Sequence, residues 1–401
     1  MHVVVLGAGV VGMTTAYYLA ELGCDVTVVD RSDDVARGAS YANGGQLSYS
    51  FTDSLAKPGF VAKIPRLMAG LDPGSKMRIA PELITWGTRF LGQCTSKRAV
   101  RNTLSLLETA MRSATLLSEL RDNTCFDFSY RPAGKLVLLA DKDEFRSAVD
   151  STRLKNEHGC RTEILMPTDA INIEPALGEF GESFLGAVYS QSDEVADSRS
   201  FVIGLREHLE ASGRVKFQLG TAADKLVTEN GRVVGVDCHD AIEADAVVVC
   251  LGAWSGKLLR PVGINPHIYP VRGYSVTLQP GNDAPNVSVT SLKHKIVFSK
   301  LNGSMRIAGF ADFHGFNTNK DEDRISTLTA TARRLAPQAA DYDSSDRSPW
   351  GGFRPMTPSG CPCVGATRME GLYLNTGHGM LGWTLACASG HDAANAIAHA
   401  H

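Results

Sequence analysis

The 401-residue sequence predicts an α/β chain of two interleaved domains, one with a parallel central sheet and one with an antiparallel sheet plus helices. Three observations carry this. A strand, a glycine-rich turn, a helix and a second strand follow one another at the start. A buried strand ending in glycine recurs near the middle, and a glycine-rich helix start lies close to the end. Between these pieces run segments whose apolar residues alternate as in antiparallel strands.

The first element is "HVVVLGAGVVGMTTAYYLAELGCDVTVVD", from His2 to Asp30. Val3 to Leu6 is a short apolar run suited to a strand buried on both faces. Gly7, Gly9 and Gly12 then form GxGxxG around Val10 and Val11. Met13, Ala16, Tyr17 and Ala20 recur as one helix face, Gly23 ends the helix, and Val26 to Val29 form the next strand. Asp30 stands at the tip of that strand, where a carboxylate takes both hydroxyls of an adenosine ribose. Strand, glycines, helix and acidic tip together identify a Rossmann-like dinucleotide fingerprint. A turn that merely packs helix on strand would leave Asp30 unexplained.

"GASYANGGQLSYSFTD" (Gly38 to Asp53) lacks any period and reads either as a loop with a task or as plain surface. From Leu55 to about Gly92 prolines and glycines interrupt short apolar stretches, and a long helical pattern then runs through Leu104, Leu107, Met111 and Leu117. "PAGKLVLLAD" is strand-like, Lys142 to His158 is a charged helix, and Asn230-Gly231 reads as a hairpin turn. "AVVVCLGAWS" (Ala246 to Ser255) is a second buried strand before a helix. "YPVRGYSVTLQP", "KIVFSK" and "SMRIAGF" alternate as a separate antiparallel sheet. These pieces divide the chain into a nucleotide-binding domain of residues 1–58, 185–256 and 346–401 and a second domain of residues 59–184 and 257–345.

Composition narrows the function. Forty basic and 43 acidic residues, with a net charge of −3, give no global reason to bind nucleic acid. Nine cysteines without CxxC pairs or histidines at ligand spacing suggest a reduced, cytoplasmic protein without a metal site. Cys361 and Cys363 form a CxC pair to which no role is assigned. No apolar stretch approaches the ~20 residues that span a bilayer, no basic amphipathic helix stands out, and "MHVVVLGAG" reads as a buried strand rather than a signal peptide.

Nucleotide-binding pieces at both ends and in the middle suit a longer cofactor lying across the sheet, FAD, with its pyrophosphate at the first helix N-terminus. In "NTGHGMLGWTLACASG" (Asn375 to Gly390) a second helix start lets backbone amides reach a reduced flavin ring. An ordinary glycine-rich turn is the alternative. His378 sits between two glycines and matters through its main chain rather than as a catalyst. Arg354 in "GFRPMTP" either grips a substrate carboxylate with two parallel hydrogen bonds or is a surface arginine. Tyr274 and Tyr49 either offer phenols to that carboxylate or pack as ordinary aromatics.

The chain resembles the flavin-dependent D-amino-acid dehydrogenase small-subunit group within the D-amino-acid oxidase and glycine oxidase superfamily. The motifs are "GAGVVG" with Asp30, "ASYANGGQLSYSFTD", "KPG", "PAGKLVL", "CLGAWS", "PVRGYSVTL", "RPMTPSGCPCVG" and "GHGMLGWTLACASG", with "ANGGQLSYS" and "GHGMLGWT" the specific ones. The resemblance implies non-covalent FAD on Gly7, Gly9, Val10, Val11, Gly12, Asp30 and Arg31. It places the loop of Ser40, Asn43, Gly44, Gly45, Gln46 and Leu47 at the isoalloxazine ring. Ala223 goes to the adenine, and Gly252, Ala253 and Trp254 to the pyrophosphate or ribitol side. The turn of Gly377, His378, Gly379, Met380, Leu381, Gly382, Trp383 and Thr384 goes to the flavin. Arg354 becomes the carboxylate residue, with Tyr274 as helper.

The implied reaction is oxidative deamination of a small neutral or cyclic D-amino acid, such as D-alanine, D-proline or a hydroxyproline, to the imino and then the 2-oxo acid plus ammonia. Hydride passes from Cα to flavin N5, and the electrons go on to a quinone or other acceptor. Peripheral contact with the inner face of the cytoplasmic membrane and a homo- or hetero-oligomer belong to the same expectation. The alternatives are an oxygen-using glycine or sarcosine oxidase-like enzyme, an opine or secondary-amine dehydrogenase subunit, and an NAD-linked dehydrogenase.

Overall fold

The computed structural model describes residues 1–319 and 321–400. Its first sheet has six strands in the order Cys363–Ala366, Leu372–Thr376, Ala246–Val249, His2–Leu6, Asp25–Asp30, Val215–Leu219. All neighbours pair in parallel except the edge strand Cys363–Ala366, which runs antiparallel to Leu372–Thr376. Because side chains alternate along a strand, each strand feeds two cores. Val3, Val5, Val26, Val28, Ala246 and Val248 pack with helices on one face. Val4, Leu6, Val29, Val247 and Val249 pack on the other against the three-stranded sheet of residues 225–243. The continuous apolar runs seen in the sequence follow from this double burial.

The helices on the first face are Val10–Glu21, Ser96–Asn123, Ser198–Ala211 and Gly382–Ala398. The expected face Met13, Ala16, Tyr17 and Ala20 is buried. Past its end Gly23 takes a φ of +82°, and Cys24 N donates to Leu19 O at 3.0 Å, a glycine stop. The long helix buries Leu106, Leu107, Ala110, Leu117 and Leu120. Its buried stripe is therefore rotated from the one expected, and Met111 lies exposed. The first and last helices cross where Gly390 meets Thr14. A Cβ on Gly390 would stand 2.9 Å from the Thr14 carbonyl carbon, and Thr14 Oγ1 donates to Ala386 O at 2.9 Å.

The second sheet has eight strands in the order Ser348–Met356, Tyr269–Leu278, Ser304–Asp312, Ile296–Leu301, Ser288–Ser291, Lys135–Leu139, Gly186–Ser190, Thr162–Leu165. It is antiparallel except where Ser288–Ser291 and Lys135–Leu139 run parallel. The helix Asp321–Leu335 packs on one face through Leu328, Ala332 and Leu335. Asn230 (φ +49°) and Gly231 (φ +81°) form the expected hairpin turn.

Two strands lie in a different layer from the one the sequence division gives them. Gly186–Ser190 and Ser348–Met356 fall inside segments assigned to the nucleotide domain, yet both belong to the eight-stranded sheet. Their backbone groups find ladder partners there, the latter over nine residue pairs with Tyr269–Leu278. Conversely, Ser96–Asn123 was placed with the second domain and packs on the nucleotide-binding core. Pairing partners far away in sequence decide these memberships.

The crossing yields a stability test. Gly390→Val forces extra volume onto Thr14 and is expected to destabilise by about 1–3 kcal/mol. A fall in thermal midpoint on unfolding checks it, with Gly38→Ala as a comparison at an open position where no atom lies within 4 Å.

Candidate active site

The first helix opens on a backbone cradle. Gly7 has a φ of +111°, a Cβ there would sit 2.7 Å from Cys250 O, and one on Gly12 would sit 1.8 Å from Gly7 O. Only glycine permits this turn. Gly9 is the N-cap and offers no side-chain cap; the first turn holds no acid. Met13 N reaches back to Gly9 O, and Ser40 Oγ accepts from Val10 N at 3.0 Å. The amides of Val11 and Gly12 are left for an anion at the positive end of the helix.

Asp30 stands beside this cradle. Its carboxylate accepts from Ala8 N at 2.8 Å and Ser32 N at 2.9 Å, which fixes its direction while each oxygen keeps a lone pair for a ribose hydroxyl. Thr221 N donates to Asp30 O at 2.9 Å and Gly220 N to Ser32 O at 2.7 Å, so the segment leading to Ala223 runs along this tip. The Arg31 guanidinium lies 4.1 Å over the Trp254 ring. Trp254, on the 3-10 turn Gly252–Trp254 that also holds Ala253, stacks on Phe316 at 4.0 Å. This turn also uses a left-handed glycine, Gly252 at φ +54°.

The loop of residues 40–48 joins both helix starts to both sheets. Ser40 meets the first helix at Val10, and Ser48 N donates to Thr384 Oγ1 at 3.0 Å in the last helix. Asn43 Oδ1 accepts from Gly45 N, and Asn43 Nδ2 donates to Ser198 Oγ at 2.8 Å. Gly44 lies against Ala308 and Val297, and Gly45 (φ +64°) against Leu301. Gln46 and Leu47 pair with Val195 and Glu194, and Gln46 Nε2 donates to Thr290 Oγ1 at 3.2 Å.

The C-terminal turn is built from Gly377 (φ +86°) and Gly379 (φ +56°). Cβ atoms there would approach Thr357 Cγ2 at 2.6 Å and Met356 Sδ at 3.1 Å. Leu381 N donates to His378 O, and the helix begins at Gly382. Met380 is exposed, while Trp383 is buried with its indole N–H on Ala196 O at 3.1 Å. His378 points inward, 2% exposed, with Nε2 on Ser389 Oγ at 2.9 Å. Burial pulls its pKa down to about 3, so the imidazole is neutral and structural.

The strand Ser348–Met356 runs directly into this turn: Met356 bridges to His378, and Gly379 N donates to Pro355 O at 3.0 Å. Arg354 is one residue from that junction. Its guanidinium donates to Phe310 O at 2.5 Å and to Gly309 O at 3.4 Å, using two of five N–H groups. Among the described residues no carboxylate lies within 4 Å of it. Burial lowers its pKa to about 10, opposed by Asp312, so it stays cationic at neutral pH. Gly273 makes room, since a Cβ there would lie 2.4 Å from Arg354 Cζ. Val271 sits directly opposite Arg354, and Met356 opposite Tyr269. These three join Trp86, Phe90 and Phe313 in an apolar cluster on the same side of the strand.

Two of the expected carboxylate partners are elsewhere. Tyr274 faces the opposite side of the sheet, in the core under helix Asp321–Leu335, and its hydroxyl donates to Asp312 Oδ2 at 2.9 Å. Tyr49 is buried and donates to Glu194 Oε2 at 2.8 Å. Strand alternation turns the first phenol away, and the half-buried Glu194 takes the second.

A buried cation was missed from the sequence. Lys135, 2% exposed, donates to Gln46 Oε1 at 3.1 Å and Ser48 Oγ at 2.8 Å. Burial lowers its pKa to about 8, and Asp193 acts in the opposite direction. Asp193 is itself held by Ser50 N at 3.0 Å and Ser50 Oγ at 2.9 Å. A lysine at the head of the otherwise apolar run "KLVLL" was the available signal, because buried lysines need partners.

An anion cradle, a fixed carboxylate with lone pairs to spare, a second glycine-rich helix start and a free arginine beside it suit a flavin dinucleotide and a carboxylate-bearing substrate. The sequence profile described as FAD dependent oxidoreductase matches residues 2–396, and the chain belongs to that family. Over 99% of its length it is 38% identical to the D-amino acid dehydrogenase of Dechloromonas aromatica (strain RCB), covering 97% of that protein. It is 39% identical to D-amino acid dehydrogenase 2 of Ralstonia nicotianae, over 99% of this chain and 96% of that one. The fold is also that of glycine oxidase from Geobacillus kaustophilus, with a TM-score of 0.77, 21% identity and coverage of 98% and 94% of the two chains.

Two outcomes test the site. Asp30→Ala removes the ribose partner, so the purified variant should carry markedly less flavin absorbance than the parent; full retention would remove Asp30 from the site. For His378 the unfolded imidazole titrates near 6.5 and the folded one at about 3. The stabilisation is therefore complete above about pH 6.5 and is lost as pH falls through that window. The thermal midpoint of His378→Asn should fall less steeply between pH 6 and pH 4 than that of the parent.

Proposed function

We propose that the protein oxidises a neutral D-amino acid, small or cyclic, to its imino acid, that water converts an acyclic imino acid to the 2-oxo acid and ammonia while a cyclic one keeps its nitrogen in the product, and that the electrons leave to a quinone or another non-oxygen acceptor. The single observation that carries this reading is Arg354: a cation without a carboxylate partner among the described residues, one residue from the junction with the glycine-rich turn. The relatives' names support the D-amino acid as substrate class.

In this reading FAD is held by Gly7, Gly9, Gly12 and Asp30 at its dinucleotide end and by the 40–48 loop and the Gly377–Thr384 turn at its ring, and when bound it supplies the two-electron acceptor. The chain's own task is positioning. Arg354 takes the substrate carboxylate with its unused N–H groups, fixing one of the four substituents around Cα. The apolar wall of Val271, Tyr269, Met356, Trp86 and Phe313 carries no charge to match an ionic substrate side chain. A charged side chain there would be desolvated without a partner.

Anaerobic mixing with a panel of D- and L-amino acids, followed by flavin absorbance, tests the reading. Neutral D-amino acids should bleach the flavin, and air should restore the colour more slowly than a quinone or dye. A panel without bleaching ends the proposal. Arg354→Met should lower kcat/KM by about 2–4 kcal/mol, roughly 30- to 1,000-fold. Gly273→Ala, which pushes a methyl into the guanidinium, should raise KM while leaving flavin content intact.

A further inference from the structure

Two lysines are buried beside the 40–48 loop and the segment that follows it, and they are compensated differently. Lys155 Nζ donates to Asp53 Oδ2 at 2.7 Å and to Ser50 O at 2.8 Å, so its charge ends on a carboxylate in contact. Lys135 has no such partner: among the described residues no carboxylate lies within 4 Å of its Nζ. Its hydrogen bonds go to the neutral oxygens of Gln46 and Ser48, and the Phe51 ring lies 4.2 Å away. Asp193 attracts it from a greater distance, with its own carboxylate held by Ser50. A pKa of about 8 keeps the amine mostly protonated at neutral pH. A buried cation resting on neutral acceptors is costly unless an anion arrives beside it.

Ser48 marks where that anion would arrive. Its hydroxyl accepts from Lys135 at 2.8 Å, and its backbone N–H donates to Thr384 Oγ1 at 3.0 Å. Thr384 stands in the first turn of the helix Gly382–Ala398, a turn that holds no acid. The lysine and the positive end of the helix therefore converge on one loop without a countercharge. In the reading above this loop and this turn face the ring of FAD. Hydride leaving the substrate Cα carries two electrons and one proton, so the neutral ring ends with one negative charge while the substrate amine becomes an iminium.

We propose that Lys135 is a positioning residue for this charge: held on Gln46 and Ser48, it sets the loop against the ring and stabilises the ring in its reduced, anionic form. Burial strengthens the effect, because a fixed charge in a water-poor site acts through a lower dielectric. The role rests on the ring-side reading of the 40–48 loop and is independent of which substrate supplies the hydride.

Sulfite tests this without any substrate, because its sulfur lone pair bonds to flavin N5 and leaves the same negative charge on the ring. The holoprotein is titrated with sulfite, followed by loss of flavin absorbance, and its reduction potential is measured alongside. Lys135→Met should retain FAD, bind sulfite on the order of tenfold or more weakly and have a more negative potential, with kcat lowered and KM near that of the parent. Ser48→Ala loosens the loop but keeps the cation, and should move sulfite affinity and potential far less. Lys135→Met/Asp193→Asn removes both buried charges; it should repeat the first result and decides the matter if the single variant fails to hold FAD. Unchanged sulfite affinity and potential in a flavin-loaded Lys135 variant, an equal shift in Ser48→Ala, or loss of FAD from both Lys135 variants would overturn the proposal. A wrong substrate class leaves the sulfite result intact and shows only as a panel without bleaching. A wrong ring-side reading shows as unchanged sulfite affinity in an enzyme that D-amino acids still bleach.

Discussion

The close crossing of the first and last helices is the contact on which the rest depends. Gly390 lets the two backbones meet at Thr14, and Asn375 Nδ2 donates to Thr15 Oγ1 at 2.9 Å just ahead of the last helix. Two helix starts separated by some 370 residues of sequence are thereby fixed on one side of a common sheet. The first offers free amides to an anion, and in the proposed reading the second would reach the flavin ring, so a drift of either end would loosen one of the two proposed anchors.

The 40–48 loop converts this frame into an active site. It has almost no secondary structure of its own, yet Ser40, Asn43, Gln46 and Ser48 are tied down by partners from other elements: Val10, Ser198, Thr290, Lys135 and Thr384. Burying Lys135 costs desolvation energy, and its bonds to Gln46 and Ser48 with Asp193 nearby offset that cost. Buried polar networks of this kind specify one arrangement where apolar packing would tolerate several. Arg354 gains from the same frame because its strand ends in a hydrogen bond to the glycine-rich turn.

The dinucleotide half was legible in the sequence because its signals are local. Glycines, helix period and the acidic tip at Asp30 fall within thirty residues, and each reflects a backbone need that only certain residues meet. The antiparallel layer was legible as alternation. The membership of Gly186–Ser190 and Ser348–Met356 was not, since a strand's sequence carries no address for its ladder partner. Tyr274 was misplaced for a related reason, since its facing is set by strand parity and by a bulge between Arg272 and Tyr274, while Tyr49 lies outside any strand and is taken by Glu194, 145 residues away. Lys135 left a trace, a cation heading an apolar run, whose partners lay at positions 46, 48 and 193 and were invisible in one dimension.

The six-stranded sheet also dictates an order of events. Its central strand His2–Leu6 is flanked by Ala246–Val249, whose other neighbour is Leu372–Thr376. The ring-binding turn follows that last strand immediately. During synthesis the phosphate cradle emerges early, but the sheet edge beside it and the second anchor emerge only after residue 376 has been added. Such distant pairings are slow to close, so cofactor capture must be a late step. Until then the nascent chain exposes Val247 and Val249 on an unpaired strand edge, a window of aggregation risk that closes only when Leu372–Thr376 pairs there.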